Sequence, residues 1–526
     1  MSPLTVASSH LSGGDFAVVG FFVALLFLVG YLAGREETGT NDFFLGGRRV
    51  PWWAACLSFV ATEISALTII SVPATAYREN WQYAQLFIGS ALSRVAIAFL
   101  FIPAFYRFDC TTIYEFLGVR FGQATQIAGS CFFFFTRLLG SAVRLLVACM
   151  AVKILFGWSL WGTLLFFTAV SIVYIAHGGV KAVVWTNVVQ ALTFLGGGLA
   201  TIGFLHYTLP GGLPAILAFA AAHGKTKIFD WGPGLFSGRF VDALFSDPHL
   251  IYVAIANGFV GSLAAFGTDH DLMQRLLTVE TRRQSQRTML LTIVGSFCVL
   301  VVFLTVGAGL FAYYAQHPGP LGMAAKLDEI YPHFVNQAMP EFLRGLMLAA
   351  IILASIDSPL GSLAASFVND IYRPALRPGR SDRHYLLVSR AAVIVFGLLL
   401  ALIAYGFSYF ENMLWLAFKI GGVTFGSLLG VFLLGLLTER RADRANVAAM
   451  LVAALTNAAL LWAAETGRIG LGWTWLILIG TSNTFLLAWL LGPLLDGDSG
   501  KPGTHDSFSS ENESCVPGFP GPRRLQ

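Results

Sequence analysis

The chain is poor in charge and has little polar sequence of any length. Only 12% of its 526 residues are charged, against 56% hydrophobic, and the mean hydropathy is +0.70. Those values lie outside the range of water-soluble domains. The longest polar stretches are 206–249 and the C-terminal tail, neither long enough for a soluble domain, so the chemistry is expected inside a helical bundle. There is no phosphate loop, no nucleophile–base pair and no His/Cys cluster at metal-ligand spacing, which argues against an enzyme and against any cofactor. The six cysteines, Cys56, Cys110, Cys131, Cys149, Cys298 and Cys515, are scattered singly and mostly within apolar runs, and read as small core residues rather than disulfides. The net charge of +4 calls for no nucleic-acid partner, because the Lys and Arg fall in short loops between apolar runs. The first run, 16–32, lacks a preceding basic region and is followed by Arg35, so it reads as a signal-anchor span and not a cleaved signal.

What is present is a succession of about thirteen apolar runs of bilayer length. They fall at 15–34, 50–77, 84–106, 124–156, 158–176, 183–207, 250–266, 289–314, 342–368, 385–407, 413–437, 447–464 and 473–491. This predicts an all-α polytopic membrane protein. If the runs alternate in direction, the loops holding Arg48 and Arg49, Arg107 and Arg120, Arg275 to Arg287, Arg373 to Arg383 and Arg440 to Arg444 all fall on one side. The positive-inside rule then places the N-terminus outside and the C-terminus in the cytoplasm, across the plasma (cytoplasmic) membrane. The Gly/Pro-rich segment 208–249 is expected outside with short surface helices, and the tail 492–526 is expected to be disordered.

Two spans carry polar groups where lipid tolerates them poorly. The run 50–77 has Thr62, Glu63 and Ser65 at its middle. An ionisable residue at the membrane centre costs about 2.5 to 3.5 kcal/mol, so Glu63 should face protein or a wet cavity. Two arrangements accommodate it. Either the helix breaks across Ala61 to Ser65 and frees carbonyls suited to Na⁺, or it continues with one polar spot packed on a neighbour. The run 342–368 contains Ser355, Asp357, Ser358 and Ser362. At 100° per residue Ala354, Asp357 and Ser358 share a face flanked by Ser355, and Pro359 leaves the Ser355 carbonyl without a helical partner. An intramembrane Asp beside a proline is read as functional, whereas Ser362 is read as packing. His177 and His270 are lone residues expected to be solvated or capping.

NDFFLGGRRVPWW at 41–53, GGVKAVVWTN at 178–187, GTDHDLMQR at 267–275, ASIDSPLGSLAASFVNDIY at 354–372 and FGSLLGVFLLGLL at 425–437 together resemble the sodium/solute symporter family. The resemblance runs from about Asp15 to Leu491 and implies Na⁺-coupled uptake of a small organic solute by alternating access. It implies two five-helix inverted repeats, 50–207 and 250–407, with a broken first core helix. Outside them lie an N-terminal span with its inner loop, 1–49, the external segment 208–249 and C-terminal spans 408–491. The principal Na⁺ site would take the carbonyls of Ala61, Ile64 and Ile351 and the hydroxyl of Ser355. Ala354 replaces a first hydroxyl usual in the family, a loss that Glu63 and the carbonyl freed by Pro359 are in position to offset. Some members of the family bind a second cation at an Asp of a WTD motif. Here that motif reads Trp185, Thr186, Asn187, and Asp357 with Ser358 offers a carboxylate on the opposite wall, for a second cation or for a proton.

The implied solute cavity includes Glu63, Thr68, Gln85, Phe87, Asn257 and Phe418, of which Phe87 and Phe418 disfavour a hexose. Arg137, Arg144 and Lys419 also lie in spans and need carboxylate partners, from the protein or from a carboxylate-bearing solute, unless they snorkel. The alternatives are a proton-coupled symporter of the same fold or a transport-like membrane sensor. No signalling domain is recognised after Leu491, which weighs against the sensor.

Overall fold

The computed structural model describes residues 11–34, 40–234, 236–318, 327–356, 359–410 and 413–496. All regular structure in them is helical. Ten helices are long and apolar enough to cross a bilayer, or eleven when the bent pair Trp52–Glu63 and Leu67–Arg78 is taken as one span. The other two expected spans appear in shorter form. Residues 158–176 form the first arm of a helix kinked at Gly179, and 342–368 are split at Pro359.

In chain order the elements that matter here are α1 (Gly13–Ala33), α2 (Trp52–Glu63), α3 (Ala66–Arg78), α4 (Ala84–Arg107) and α5 (Ile113–Arg120). Then follow α6 (Gln123–Phe156), α7 (Leu160–Thr208), α8 (Ile251–Gly267), α9 (His270–Leu277) and α10 (Arg282–Gln316). The last are α11 (Leu343–Ile356), α12 (Leu360–Ser366), α13 (Asp382–Phe407), α14 (Met413–Leu437), α15 (Asp443–Glu465) and α16 (Trp475–Leu495). The turn expected at HGGVKAVVW is the kink in α7, where Gly179 takes φ 49° and ψ −165°, a conformation open to glycine and closed to other residues. The segment 208–249 carries two short helices, Gly212–Ala222 and Phe240–Ser246.

The basic loops meet one another at one end of the bundle. Arg48 pairs with Asp109 at 2.7 Å, Gln274 donates to the Phe44 carbonyl at 2.7 Å, Tyr106 donates to the Leu276 and Val279 carbonyls, and Arg120 reaches the Gly435 and Thr438 carbonyls. At the other end Gln82 donates to Asp230 at 2.7 Å, the Trp475 indole donates to the Leu244 carbonyl, and Lys225 caps α3 through the Arg78 carbonyl at 2.7 Å. This segregation is what strict alternation of the spans requires.

Two contacts fix the relative positions of helices. Gly89 of α4 and Gly258 of α8 let the two backbones touch: a Cβ on Gly89 would lie 2.1 Å from the Ile255 carbonyl oxygen, and one on Gly258 2.1 Å from that of Leu86. Small residues at helix crossings serve this purpose in lipid, where no hydrophobic force separates helix from tail. The second contact is ionic. Buried Asp15, in the capping box of α1, accepts from Arg344 at 2.5 Å and from the Gly345 N–H at 3.0 Å, pinning α1 to the start of α11. Breaking a buried pair from one side costs about 3 to 5 kcal/mol because the other charge stays behind. Arg344→Met should therefore lower the midpoint of thermal unfolding in detergent well below that of the unmutated protein. Asp15→Asn with Arg344→Met should restore some of the loss.

Candidate cation and solute site

The first core helix breaks where the sequence carries ATEIS. α2 stops at Glu63, Ile64 leaves helical geometry at φ −85° and ψ 107°, and Ser65 starts α3 by accepting the Leu67 N–H on its hydroxyl. The two arms meet at 55°. A break leaves terminal carbonyls without i+4 donors. The Ile64 N–H still bonds the Val60 carbonyl, and Thr62 is capped from outside by the Arg144 guanidinium at 2.9 Å. Among the described residues the carbonyls of Ala61 and Ile64 accept no such bond. In the second polar span the described helix runs to Ile356 and resumes at Leu360, with Pro359 outside helical geometry at ψ 12° and its carbonyl taking the Leu363 N–H and the Ser362 hydroxyl.

Both breaks open on one cavity. Its wall includes Ala61, Thr62, Ile64 and Ser65 from the first core helix, and Ala354, Pro359 and Leu360 from the eighth. Ser141 and Arg144 come from α6, and Thr168, Ser171 and Gln190 from the two arms of α7. Thr168 Oγ1 and Gln190 Oε1 are buried with no protein partner, as expected of groups left for water, ion or solute. Asp271 lines this cavity and also a second one running between α7, α9 and α12 toward the basic end. Phe418 is not among the residues lining the cavity and sits in a ring cluster, against Tyr83 at 6.3 Å, Trp415 at 5.9 Å and Trp473 at 5.3 Å.

Ala61 and Ile64 thus face the cavity together, while Ile351 is buried in α11 two turns before the split. Ser355 lies in the last turn of α11, but its side chain, together with Asp357 and Ser358, falls outside the described residues, as does the side chain of His177. Asn187 turns toward the first core helix, its amide donating to Thr62 Oγ1 at 2.9 Å and Ser58 Oγ at 3.2 Å.

Several expectations need correction. Glu63 does not supply the cation site: its carboxylate points out of the cavity, onto Arg94 of α4 at 2.5 Å and the Ser296 hydroxyl of α10 at 2.6 Å. Arg137 is held by two protein carboxylates, Asp269 at 3.2 Å and Asp271, and Arg275 grips Asp271 from the other side at 2.5 Å. Lys419 pairs with the half-exposed Glu465 at 2.7 Å. Gln85 bonds the His249 carbonyl and the Asp230 N–H, and Asn257 the Thr474 carbonyl at 2.7 Å, so both clamp loops rather than await a solute. Phe87 packs on Phe297 and Phe418 stacks on Trp473, while Thr68 opens α3 with its N–H on the Ser65 carbonyl. Cys110 and Cys149 are core residues, whereas Cys131 and Cys298 are exposed on their helices.

His270 is not a solvated loop residue. It is fully buried at the start of α9 between Tyr114 and Phe133, and Asp269 does the capping. Arg94, Asp269 and Asp271 were not singled out by sequence reasoning. Arg94 was within reach of the rule applied to Arg137 and Arg144, since it interrupts the apolar run ALSRVAIAFLF.

A bundle with a broken first core helix, an eighth interrupted at Pro359 and a polar cavity lined by both has the architecture of a secondary transporter of the inverted-repeat type. Residues 43–453 match the model of the sodium:solute symporter family, and the chain belongs to that family. A sodium/sialic acid symporter of Proteus mirabilis is 27% identical over 510 residues, covering 95% of this chain and 98% of the relative. Another from Aliivibrio fischeri is 29% identical over 487 residues, covering 91% and 92%. The sodium-dependent multivitamin transporter of Oryctolagus cuniculus is 30% identical over 451 residues, covering 82% and 69%. A Na⁺-coupled sialic acid symporter, solved substrate-bound and outward-open, superposes with a TM-score of 0.79 at 26% identity, covering 92% of this chain and 98% of that one. The protein is a multi-pass membrane transporter that couples Na⁺ to the movement of a small organic solute. It is not an enzyme.

Burial holds the His270 imidazole down at about 3, below its usual 6.5. A depressed folded-state value gives stability that is full above pH 6.5 and is lost as pH falls toward 3. Glu115, pushed up to about 7 by burial, acts in the opposite sense, so variant and unmutated protein are compared at matched pH. His270→Leu should lose less of its melting temperature between pH 6.5 and 4.5 than the unmutated protein does.

Proposed function

We propose that Na⁺ binds where the two breaks face each other, on the carbonyls of Ala61, Ile64 and Ile351 and the hydroxyl of Ser355, and that the solute carries a carboxylate taken by Arg144. The observation that carries this reading is the shared cavity: Ala61 and Ile64 of the broken helix, the Arg144 guanidinium, the hydroxyl residues Ser141, Thr168 and Ser171 and Gln190 all line it. Carbonyl and hydroxyl oxygens suit a hard cation, and a guanidinium suits a carboxylate. Relatives named for sialic acid and for monocarboxylates handle solutes of that kind. The reading extends to a second cation near Asn187, Asp357 and Ser358, and to repeats at 50–207 and 250–407. The clustering of basic loops supports an N-terminus outside and a C-terminus in the cytoplasm, in the cytoplasmic membrane.

Uptake into proteoliposomes tests both halves. Ser355→Ala should raise the Na⁺ concentration for half-maximal uptake more than it changes solute affinity at saturating Na⁺. Uptake by the unmutated protein that runs on a proton gradient without Na⁺ would overturn the assignment. For the solute, a panel of sialic acid, short monocarboxylates, their amides and neutral sugars is offered with Na⁺. A hydrogen bond between charged groups is worth about 1.5 to 3 kcal/mol, so Arg144→Gln should weaken a transported carboxylate roughly 10- to 150-fold, a larger change than the rise in Na⁺ half-saturation that follows from losing its bond to the Thr62 carbonyl. Transport of the amides as well as the acids would refute a carboxylate requirement.

A further inference from the structure

We infer that the Glu63–Arg94 pair is a positioning device for the coupling ion: it holds the end of α2 in the one rotation that presents the Ala61 and Ile64 carbonyls to the cavity. This rests on the reading that those carbonyls ligate Na⁺. Of the five residues at the break, Ala61, Thr62, Ile64 and Ser65 line the cavity and Glu63 alone does not. Its side chain is pulled to the far side by Arg94 at 2.5 Å and Ser296 at 2.6 Å. The anchor is itself fixed. Arg94 is fully buried, donates to Thr292 at 2.9 Å and Ser296 at 3.0 Å, and lies over the Phe266 ring at 4.8 Å. A backbone held at residue 63 from one side and at the Thr62 carbonyl by Arg144 from the other has little freedom to rotate its neighbours. The carbonyls left over are those of residues 61 and 64.

The pair also cancels a charge. An arginine held against the residue between two ligand carbonyls, in a medium of low dielectric, repels a bound cation unless a carboxylate neutralises it. Because Glu63 and Arg94 come from the first and second core helices and Ser296 from α10, these three elements carry the cation carbonyls as one unit. Neither residue touches the ion; their role is exercised through the backbone and the local potential.

The test measures, in proteoliposomes, Na⁺ half-saturation at fixed solute and solute half-saturation at saturating Na⁺, using the panel member the protein transports. Glu63→Gln, which leaves Arg94 uncompensated, should raise the Na⁺ value about tenfold with the solute value within about twofold. Glu63→Gln with Arg94→Gln removes both charges and should recover most of that loss. Ser296→Ala keeps both charges, folds where Glu63→Gln fails to, and should raise the Na⁺ value about threefold. An unmoved Na⁺ value in Glu63→Gln, or in Ser296→Ala where Glu63→Gln does not accumulate, overturns the inference. So do equal shifts in Na⁺ and solute. Ser355→Ala separates the two failures: if it shifts Na⁺ half-saturation while these variants do not, the ion site stands and the positioning role falls. If it too leaves Na⁺ unmoved, the site itself is elsewhere.

Discussion

Hydrocarbon offers a peptide group no hydrogen bond, and the organisation of this transporter follows from the one place where α2 gives up its own. Once Ile64 leaves the helix, the carbonyls behind it must be answered or used. The protein answers some and leaves others. Arg144 reaches across from α6 for Thr62, Asn187 reaches from α7 for its hydroxyl, and Ser65 restarts the chain as α3. The split of the eighth core helix at Pro359 brings a second set of irregular backbone against the first, so two local defects, each costly alone, share one wet space.

Charge inside the bundle follows the same logic. Arg94, Arg137, Arg275 and Arg344 are all buried, and each meets a carboxylate from a different segment or a neighbouring turn. Such pairs contribute little net stability against the desolvation of two ions, and are better understood as fixing geometry. Asp271 illustrates this. Burial alone would raise its carboxyl, yet Arg137 and Arg275 hold it well below the usual carboxylate range, so it stays ionised beside both cavities. The Arg137–Asp271 contact ties α6 to the start of α9, where Asp271 lines both cavities.

Much of this was legible from the chain because lipid makes composition speak directly. The spans, the break at ATEIS, the split at Pro359 and the turn at Gly179 each follow from a residue whose backbone chemistry is local. Partner identity was not legible. Glu63 was rightly marked as too costly to face lipid, but nothing in 50–77 says that its counter-charge lies 31 residues on, in α4. Lys419 and Arg137 were marked as cations in need of a carboxylate, and both found one within the protein, in segments distant along the chain. His270 was misjudged because its neighbours Asp269 and Asp271 made the stretch look hydrated. In fact they turn inward to arginines and carry the imidazole in with them.

The crossing of α4 and α8 at Gly89 and Gly258 has a mechanical meaning. Two backbones in direct contact cannot slide or swing apart without tearing open that contact, so these helices behave as a single beam. The Glu63–Arg94 bond rivets the broken helix to the same beam. A motion that alternately exposes the cavity to the two sides of the membrane would then fall to other seams, such as that between α2 and α7. The amide of Asn187 resting on Thr62 and Ser58 lies on such a seam. The stiffness of the α4–α8 pair is set by the absence of two side chains, since any Cβ at residue 89 or 258 would force the two backbones apart.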